Sequence, residues 1–427
     1  MAGARDVSSH ELRPPAAVLE IGDTLERHGF EAWCVGGAVR DALLGLPNSD
    51  WDIATTATPA EVKRLFRRTI PVGELHGTIG VLDRDNVMHE VTTFRRDVRT
   101  DGRHAEVAFG ASLDEDLARR DFTINAIAYK PRTGVIHDPF GGQADLVRRT
   151  IRAVGDPEAR MREDRLRALR GIRFAARFDF EIDPATWAAI KASAPFLTRL
   201  SAERVSQELE KTMEQVRGPS RALRLWKESG ALATLVPALA DIDDVALASL
   251  DCLPMPEGSK RYDQRKWNRI SALFVGLNGT GALKAATALR FSNTRAKWIA
   301  HLATAWSVLG TRPFPNSDTN LRRWISTVGR TQFADFWRIL AARRAAAGLD
   351  RALMRGIYKR GLRIAYGNVP LDVGDLAVDG NDLIAMGVPK GPRIREIQTT
   401  LLDAVLENPA LNTPDALRTM VTTLLDA

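Results

Sequence analysis

Cysteine is nearly absent: Cys34 and Cys252 are the only two among 427 residues. Two isolated thiols make neither a disulfide framework nor a zinc site. Apolar runs are also short, and none reaches the length that spans a bilayer. The opening stretch MAGARDVSSHELRPP has no apolar h-region, so it does not read as a signal peptide. There is no fixed-period repeat and no low-complexity tract. These absences lead us to expect a cytoplasmic protein with no membrane partner. Apolar residues make up 44% of the chain, which is ample for packed cores. The length suggests roughly two to four domains.

Charge is present and unevenly placed. The formal net charge is +7. Residues 147–177, VRRTIRAVGDPEARMREDRLRALRGIRFAAR, hold ten arginines and four acids, a local +6. Every cation in the segment is Arg, the residue suited to bidentate and stacked contacts. A concentrated patch of this kind favours a polyanionic partner; the alternative is a solvated helix face.

Periodicity separates the chain into two styles. Residues 14–29 read as an amphipathic helix. AWCVGGAVRDALLG reads as a strand, a Gly-Gly turn and a helix closed by Gly45. WDIATT is a second strand. TPAEVKRLF starts a helix with Thr58 as N-cap and Pro59 in the first helical position. GTIGVL and VMHEVTTF form a strand pair around the turn DRDN, and DEDLARRDFTINAIAY is a helix leading to a strand. From about residue 151 the pattern is helical with almost no strand signal. Breaks are expected at 254–261 and 312–320, with irregular chain over 367–393.

Asp50 and Asp52 raise the chemical question. Side chains alternate on a strand, so both point to one side and Trp51 and Ile53 to the other. Two close carboxylates repel unless a cation lies between them, and their oxygens suit Mg2+. Upstream, Gly36 and Gly37 stand at a helix entrance where backbone amides can approach phosphate. Arg40, on the first turn, can add a charge-assisted contact. A plain tight turn and a pair of solvated acids are the alternatives when each feature is taken alone. Glu90, in HEVTTF, is a candidate third carboxylate or a strand acid paired with Arg95 or Arg96.

CVGGAVRDALLG…SDWDIAT, EVTTFRRD, RRDFTINAIAY, DPFGG and EDRLRALRGIRFAARF occur in this order over about residues 31–210. Together they resemble bacterial class II tRNA nucleotidyltransferases, the CCA-adding enzyme and poly(A) polymerase family of the polymerase-β-like superfamily. The resemblance implies an α+β fold, with a mixed-sheet catalytic head (1–150), a helical base-reading neck (151–215), a helical body (216–311) and a helical tail (312–427). It implies that Asp50 and Asp52 bind two Mg2+ ions. It gives Arg120 the nucleotide's phosphates and Asp121 a ribose hydroxyl. It makes Asp164 and Arg167 the readers of the incoming base, with Arg170 and Arg173 continuing their stripe.

The donor–acceptor logic agrees with that assignment. A carboxylate accepts from cytosine N4 or adenine N6, and an arginine donates to the adjacent ring nitrogen. Guanine and uracil reverse both contacts. An i,i+3 salt bridge is the simpler reading of the pair. The expected partners are the tRNA 3′ end, CTP and ATP. Rival readings are a poly(A) polymerase, an enzyme adding only CC or only A, an inactive RNA-binding protein, and a transferase acting on a small molecule. Relatives often carry an HD phosphohydrolase-like body. Here His301 stands without an Asp neighbour, and His137-Asp138 belongs to DPFGG, so no phosphohydrolase site is expected. In the tail, Lys390, Arg393 and Arg395 are candidate phosphate contacts.

Overall fold

The computed structural model describes residues 12–47, 50–100, 105–349 and 351–426. The N-terminal stretch read for a signal, and Asn48 and Ser49 before the aspartate pair, lie outside them. The chain divides into two compact units. One comprises Met1–Glu208 and Arg221–Pro237, the other Leu209–Ser220 and Ala238–Ala427.

The first unit is built on a seven-stranded mixed sheet. In chain order its strands are β1 (Ala32–Val35), β2 (Asp52–Thr55), β3 (Thr69–Gly73), β4 (Thr78–Leu82) and β5 (Met88–Thr93). A separate hairpin, β6 (Arg95–Thr100) and β7 (Ala105–Phe109), follows before β8 (Ala128–Lys130) and β9 (Val135–His137). The spatial order is β3-β4-β5-β2-β1-β8-β9. Only β2 and β5 run parallel within it; the other neighbours are antiparallel. Helix α1 (Ala16–Arg27) precedes β1, α2 (Gly37–Leu43) lies between β1 and β2, and α3 (Pro59–Leu65) between β2 and β3. Thr58 caps α3 through a reciprocal box with Glu61, and Pro59 begins it, as the side-chain chemistry predicts. Helices α1 and α3 cover one sheet face, over the buried Ile53, Ile79 and Val91. On the other face Val35, Ala54 and Ala128 join Leu113 and Leu117 in a core cluster. Those leucines come from α4 (Leu113–Ala118), a helix that Ser112 and Glu115 cap reciprocally.

After α5 (Gly142–Val147) the same unit continues as helices. They include α6 (Pro157–Glu163), α7 (Leu166–Phe178), α8 (Pro184–Ser193) and the start of α9 (Ala202–Gln215). Two short strands, Thr150–Ile151 and Glu181–Ile182, pair in parallel here, a minor departure from the helical expectation. Among the described residues no strand follows Ile182.

The second unit is helical. Arg269 is 1% exposed and donates to the carbonyls of Met213, Val216, Arg217 and Leu253, which satisfies acceptors left over at a helix end. Near the C-terminus, Leu383, Leu401, Val405, Leu417 and Val421 form a separate buried cluster. No described helix is long and apolar enough to cross a membrane.

Candidate active site

The aspartate pair sits where β2 begins. Asp52 is its first residue and Asp50 lies just before it. Trp51 and Ile53 are buried, Asp52 is half-buried and Asp50 exposed, so the alternation expected from the sequence is present. Ile53 pairs in parallel with Val91, and one step back along both strands places Asp52 beside Glu90. Burial, then Asp50, then Glu90 push the Asp52 carboxyl up to about 7, against the opposing pull of Arg120. Arg95 and Arg96 bond elsewhere, to the His76 carbonyl and to Glu115. Among the described residues no three His, Cys, Asp or Glu side chains form a preassembled metal cage. The donor set is all oxygen and lies where negative charge is unfavourable, which suits a hard cation that also takes substrate phosphates as ligands.

Beside the acids lies a turn backed by an arginine. β1 is followed by Gly36, whose φ is +76°. A Cβ there would stand 2.7 Å from Nη1 of Arg120. Only glycine allows both the dihedral and this approach. Arg120 is held at the end of α4 by two long bonds, 3.3 Å to the Asn125 carbonyl and 3.3 Å to Asp116. Its Nε is buried without a partner, so the guanidinium retains donor capacity for an anion. Gly37 is half-exposed at the same turn. α2 has only seven residues, and Arg120 is the cation that pulls against the raised Asp52 carboxyl.

Arg40 and Arg173 are both buried on protein partners, which takes Arg40 away from its expected phosphate contact and Arg173 away from the expected base-reading stripe. Arg40 is 4% exposed. It donates to Asp41 at 2.7 Å and Asn125 at 2.5 Å, and its guanidinium lies over the rings of Phe174 and Phe178. It ties α2 to α7. Arg173 is equally buried and pairs with Glu208 on α9 at 2.5 Å. Breaking such a pair strands a buried charge, at about 3–5 kcal/mol. Arg173→Ala should therefore lower the thermal midpoint markedly while leaving the ranking of nucleotide substrates unchanged. A changed ranking in the folded variant would return Arg173 to the nucleotide site.

The motif EDRLR does not form one continuous helix. α6 ends at Glu163, and Asp164 is extended, with φ −145° and ψ 105°. The expected stripe from Asp164 to Arg173 is therefore broken at its first member. Asp164 Oδ1 accepts from Leu166 N at 3.0 Å and starts α7. Its Oδ2 accepts from Arg204 at 2.8 Å. Arg167 pairs with Glu163 at 2.7 Å and donates to the Arg119 carbonyl at 2.8 Å. The side chains of the two expected base readers thus flank the break and are held by other partners, while Arg167 N donates to the Asp164 carbonyl at 3.0 Å.

Asp121 is 8% exposed. It accepts from Phe122 N, Asn125 Nδ2, and Nε and Nη2 of Arg170. Burial would raise this carboxyl, but Arg170 first, then Asn125, hold it at about 2. Four accepted bonds fill the lone-pair sites of a carboxylate. In this conformation Asp121 is spent on positioning Arg170 and α7, with no site left for a ribose hydroxyl. Asn125, Asp116, Arg204 and Glu208 were not foreseen. Asn125 lies four residues beyond Asp121 in the same motif. The other three have no local signal, because Arg204 and Glu208 meet partners far away in the chain and Asp116 resembles any acid in a helix.

The two histidine sites are separated from each other in use. His137 Nε2 is 2.5 Å from Asp114, while Asp138 accepts from the amides of Gly142 and Gln143 at the start of α5. His301 bonds the Val328 carbonyl. In the tail, Lys390, Arg393 and Arg395 are exposed near the start of the helix Pro392–Glu407. Arg393 pairs with Glu396 at 3.2 Å.

A mixed sheet with converging carboxylates, a glycine turn against an arginine and a basic helical neck define a polymerase-β-like nucleotidyltransferase. The Poly A polymerase head domain family matches residues 32–152, and the family described as the probable RNA and SrmB-binding site of polymerase A matches residues 179–243. The CCA-adding enzyme of Geobacillus thermodenitrificans (strain NG80-2) is 35% identical, over 94% of this chain and 95% of its own. That of Enterococcus faecalis (strain ATCC 700802 / V583) is 51% identical over 48% of this chain and 50% of its own. The crystal structure of the Bacillus stearothermophilus CCA-adding enzyme in complex with CTP aligns with a TM-score of 0.75 at 33% identity, covering 96% of this chain and 97% of that one. The chain belongs to the bacterial class II tRNA nucleotidyltransferases, the CCA-adding enzyme and poly(A) polymerase family.

Proposed function

We propose that this protein adds C, C and A to the 3′ end of tRNA, using CTP and ATP and no nucleic-acid template. The observation that carries the reading is that Asp50 and Glu90 lie near enough to Asp52 to raise its carboxyl, with Arg120 opposing them beside Gly36, in a unit that also holds the EDRLR motif. Relatives of matching length are named CCA-adding enzymes, and one was solved with CTP. The division into a catalytic head (1–150), neck (151–215), body (216–311) and tail (312–427) is part of the proposal.

In this reading Asp50 and Asp52 hold Mg2+, and Glu90 stands beside them, close to the acceptor hydroxyl. Bound there, the metal would supply charge neutralisation at the triphosphate and a lowered pKa at the RNA 3′-hydroxyl. Gly36 and Gly37 let the phosphates approach the backbone, and Arg120 grips them. Asp164 and Arg167 select the base. Arg40, Asp121, Arg170 and Arg173 act by fixing α2 and α7 on either side of the nucleotide. The test is tRNA-dependent release of pyrophosphate from CTP and ATP. Release that needs no tRNA, or none from either nucleotide, would overturn the reading.

A pH dependence follows from Asp52. Its folded-state value, about 7, lies above the ordinary 3.8, so the folded protein holds the proton more tightly. That stabilisation is complete below the ordinary value and is lost as pH rises through about 7. Without metal, the thermal midpoint of the wild type should fall relative to Asp52→Asn between pH 5 and 8. Mg2+ should raise the wild-type midpoint more at pH 8 than at pH 6, because the cation must displace that proton. Equal shifts at both pH values would count against Asp52 as a ligand.

A further inference from the structure

The sheet row that carries the carboxylates continues past them. Glu90 pairs with Gly80, and Gly80 with Ile70, so the row runs Asp52, Glu90, Gly80, Ile70 from β2 to β3. In the other direction Asp52 pairs with Val35, which leads to Gly36 and Arg120. The acids therefore have two flanks. The flank at Gly36 is cationic. The flank at β4 and β3 is apolar and open: Ile70, Val72 and Met88 are 42%, 45% and 39% exposed.

This apolar flank has a definite shape. Paired residues of antiparallel strands share a face, so Gly80 faces the same way as Glu90. A Cβ on Gly80 would stand 2.7 Å from Met88 Sδ and 3.0 Å from Val72 Cγ2. The missing side chain lets Val72 and Met88 close over the strand and form a low ledge. Strand spacing of about 4.8 Å puts Gly80 roughly 10 Å and Ile70 roughly 14 Å from Asp52 along the row. No cation lies in this row, so its chemistry suits a flat apolar face rather than a phosphate. A nucleobase offers such a face, and a thioether packs well on aromatic rings.

Resting on the proposed function, we infer that this ledge seats an unpaired base of the RNA acceptor, next to its 3′-terminal nucleotide. In-line displacement brings the attacking hydroxyl and the leaving pyrophosphate to opposite sides of the α-phosphorus. The Gly36–Arg120 flank takes the triphosphate, so the acceptor approaches over Glu90 from β4 and β3. Unpaired RNA ends are held by stacking of their bases on side chains. Val72 and Met88 are acceptor-binding residues in this arrangement and take no part in bond making.

The test is steady-state A addition to a tRNA transcript ending in CC. The double variant Val72→Ser/Met88→Gln should raise KM for the transcript about tenfold and leave KM for ATP within twofold. The salt dependence of the transcript's KM should keep its slope, since no phosphate contact is lost. In the unaltered protein, a photoreactive base placed one nucleotide before the acceptor's 3′ terminus should crosslink within residues 69–92. That arm needs no variant and stands if the double variant fails to fold. An unchanged KM in a folded variant, or a crosslink outside 69–92, overturns the ledge while A addition by the wild type upholds the enzyme. Failure of the wild type to extend any transcript overturns both.

Discussion

Asp52→Asn should abolish nucleotide transfer and leave the fold intact. The substitution keeps the volume of the side chain and removes its charge. Asp52 is the half-buried member of the pair, the one raised by burial, Asp50 and Glu90 together. An amide cannot replace it as an anionic ligand, and the charge it would help to neutralise at the triphosphate then stands uncompensated. Loss of several kcal/mol of transition-state stabilisation corresponds to a rate decrease on the order of 10³-fold or more. The thermal midpoint should hold or rise at pH 8, because an unfavourable buried carboxylate is gone. Single-turnover addition of CTP to a tRNA transcript measures the effect. Turnover near that of the wild type with Mg2+ would remove Asp52 from the reaction.

Asp164→Ala should change which base is added. In the structure Asp164 Oδ2 is held by Arg204, in a pair about one-third exposed on each side. A pair of that kind is weak and can be exchanged. On the proposed reading, the exocyclic amine of cytosine (N4) or adenine (N6) would take the place of the guanidinium N–H on Asp164. The carbonyls of uracil and guanine would meet the carboxylate oxygen instead. Removing Asp164 removes the repulsion together with the attraction, so discrimination against UTP and GTP should fall. One lost polar contact is worth about 1–3 kcal/mol, or roughly 5- to 150-fold in relative kcat/KM. Correct addition should slow as well, since the base loses an orienting contact. Arg204→Ala is the companion variant: it leaves the acceptor in place, so the ranking of the four nucleotides should persist. If Asp164→Ala slows all four equally, Asp164 serves only to start α7 and anchor α9.

Local chemistry made much of the head legible. Thr58 and Pro59 marked the start of α3, and Gly45, with φ +66°, closes the turn after α2. The alternation around Asp50–Ile53 put the acids on one side and Trp51 in the core. The break at Asp164 was not legible. EDRLRALR contains neither Gly nor Pro, and its helical period runs through without interruption. The kink depends on Asp164 bonding forward to Leu166 N and across to Arg204, the second being forty residues away. Arg40 was misplaced for a similar reason. Its position after Gly-Gly suggested phosphate, but Phe174 and Phe178 on α7 supply the faces that bury it. Arg173 followed the helical stripe of Arg167 and Arg170, yet Glu208 draws it into the interior. Spacing of three or four places arginines on one side of a helix; distant partners decide which of them remain available to a ligand.

The measurement that bears most directly on the account is nucleotide choice as a function of the acceptor's end. tRNA transcripts lacking the terminal CCA, ending in C, or ending in CC would each be incubated with one of the four triphosphates and resolved at single-nucleotide resolution. The account predicts two additions from CTP on the first transcript, one on the second and none on the third. It predicts one addition from ATP on the transcript ending in CC, and no extension from UTP or GTP on any. Continuous extension by ATP on all three would show a poly(A) polymerase, and extension without preference among the four would contradict the protein-encoded choice of C and A.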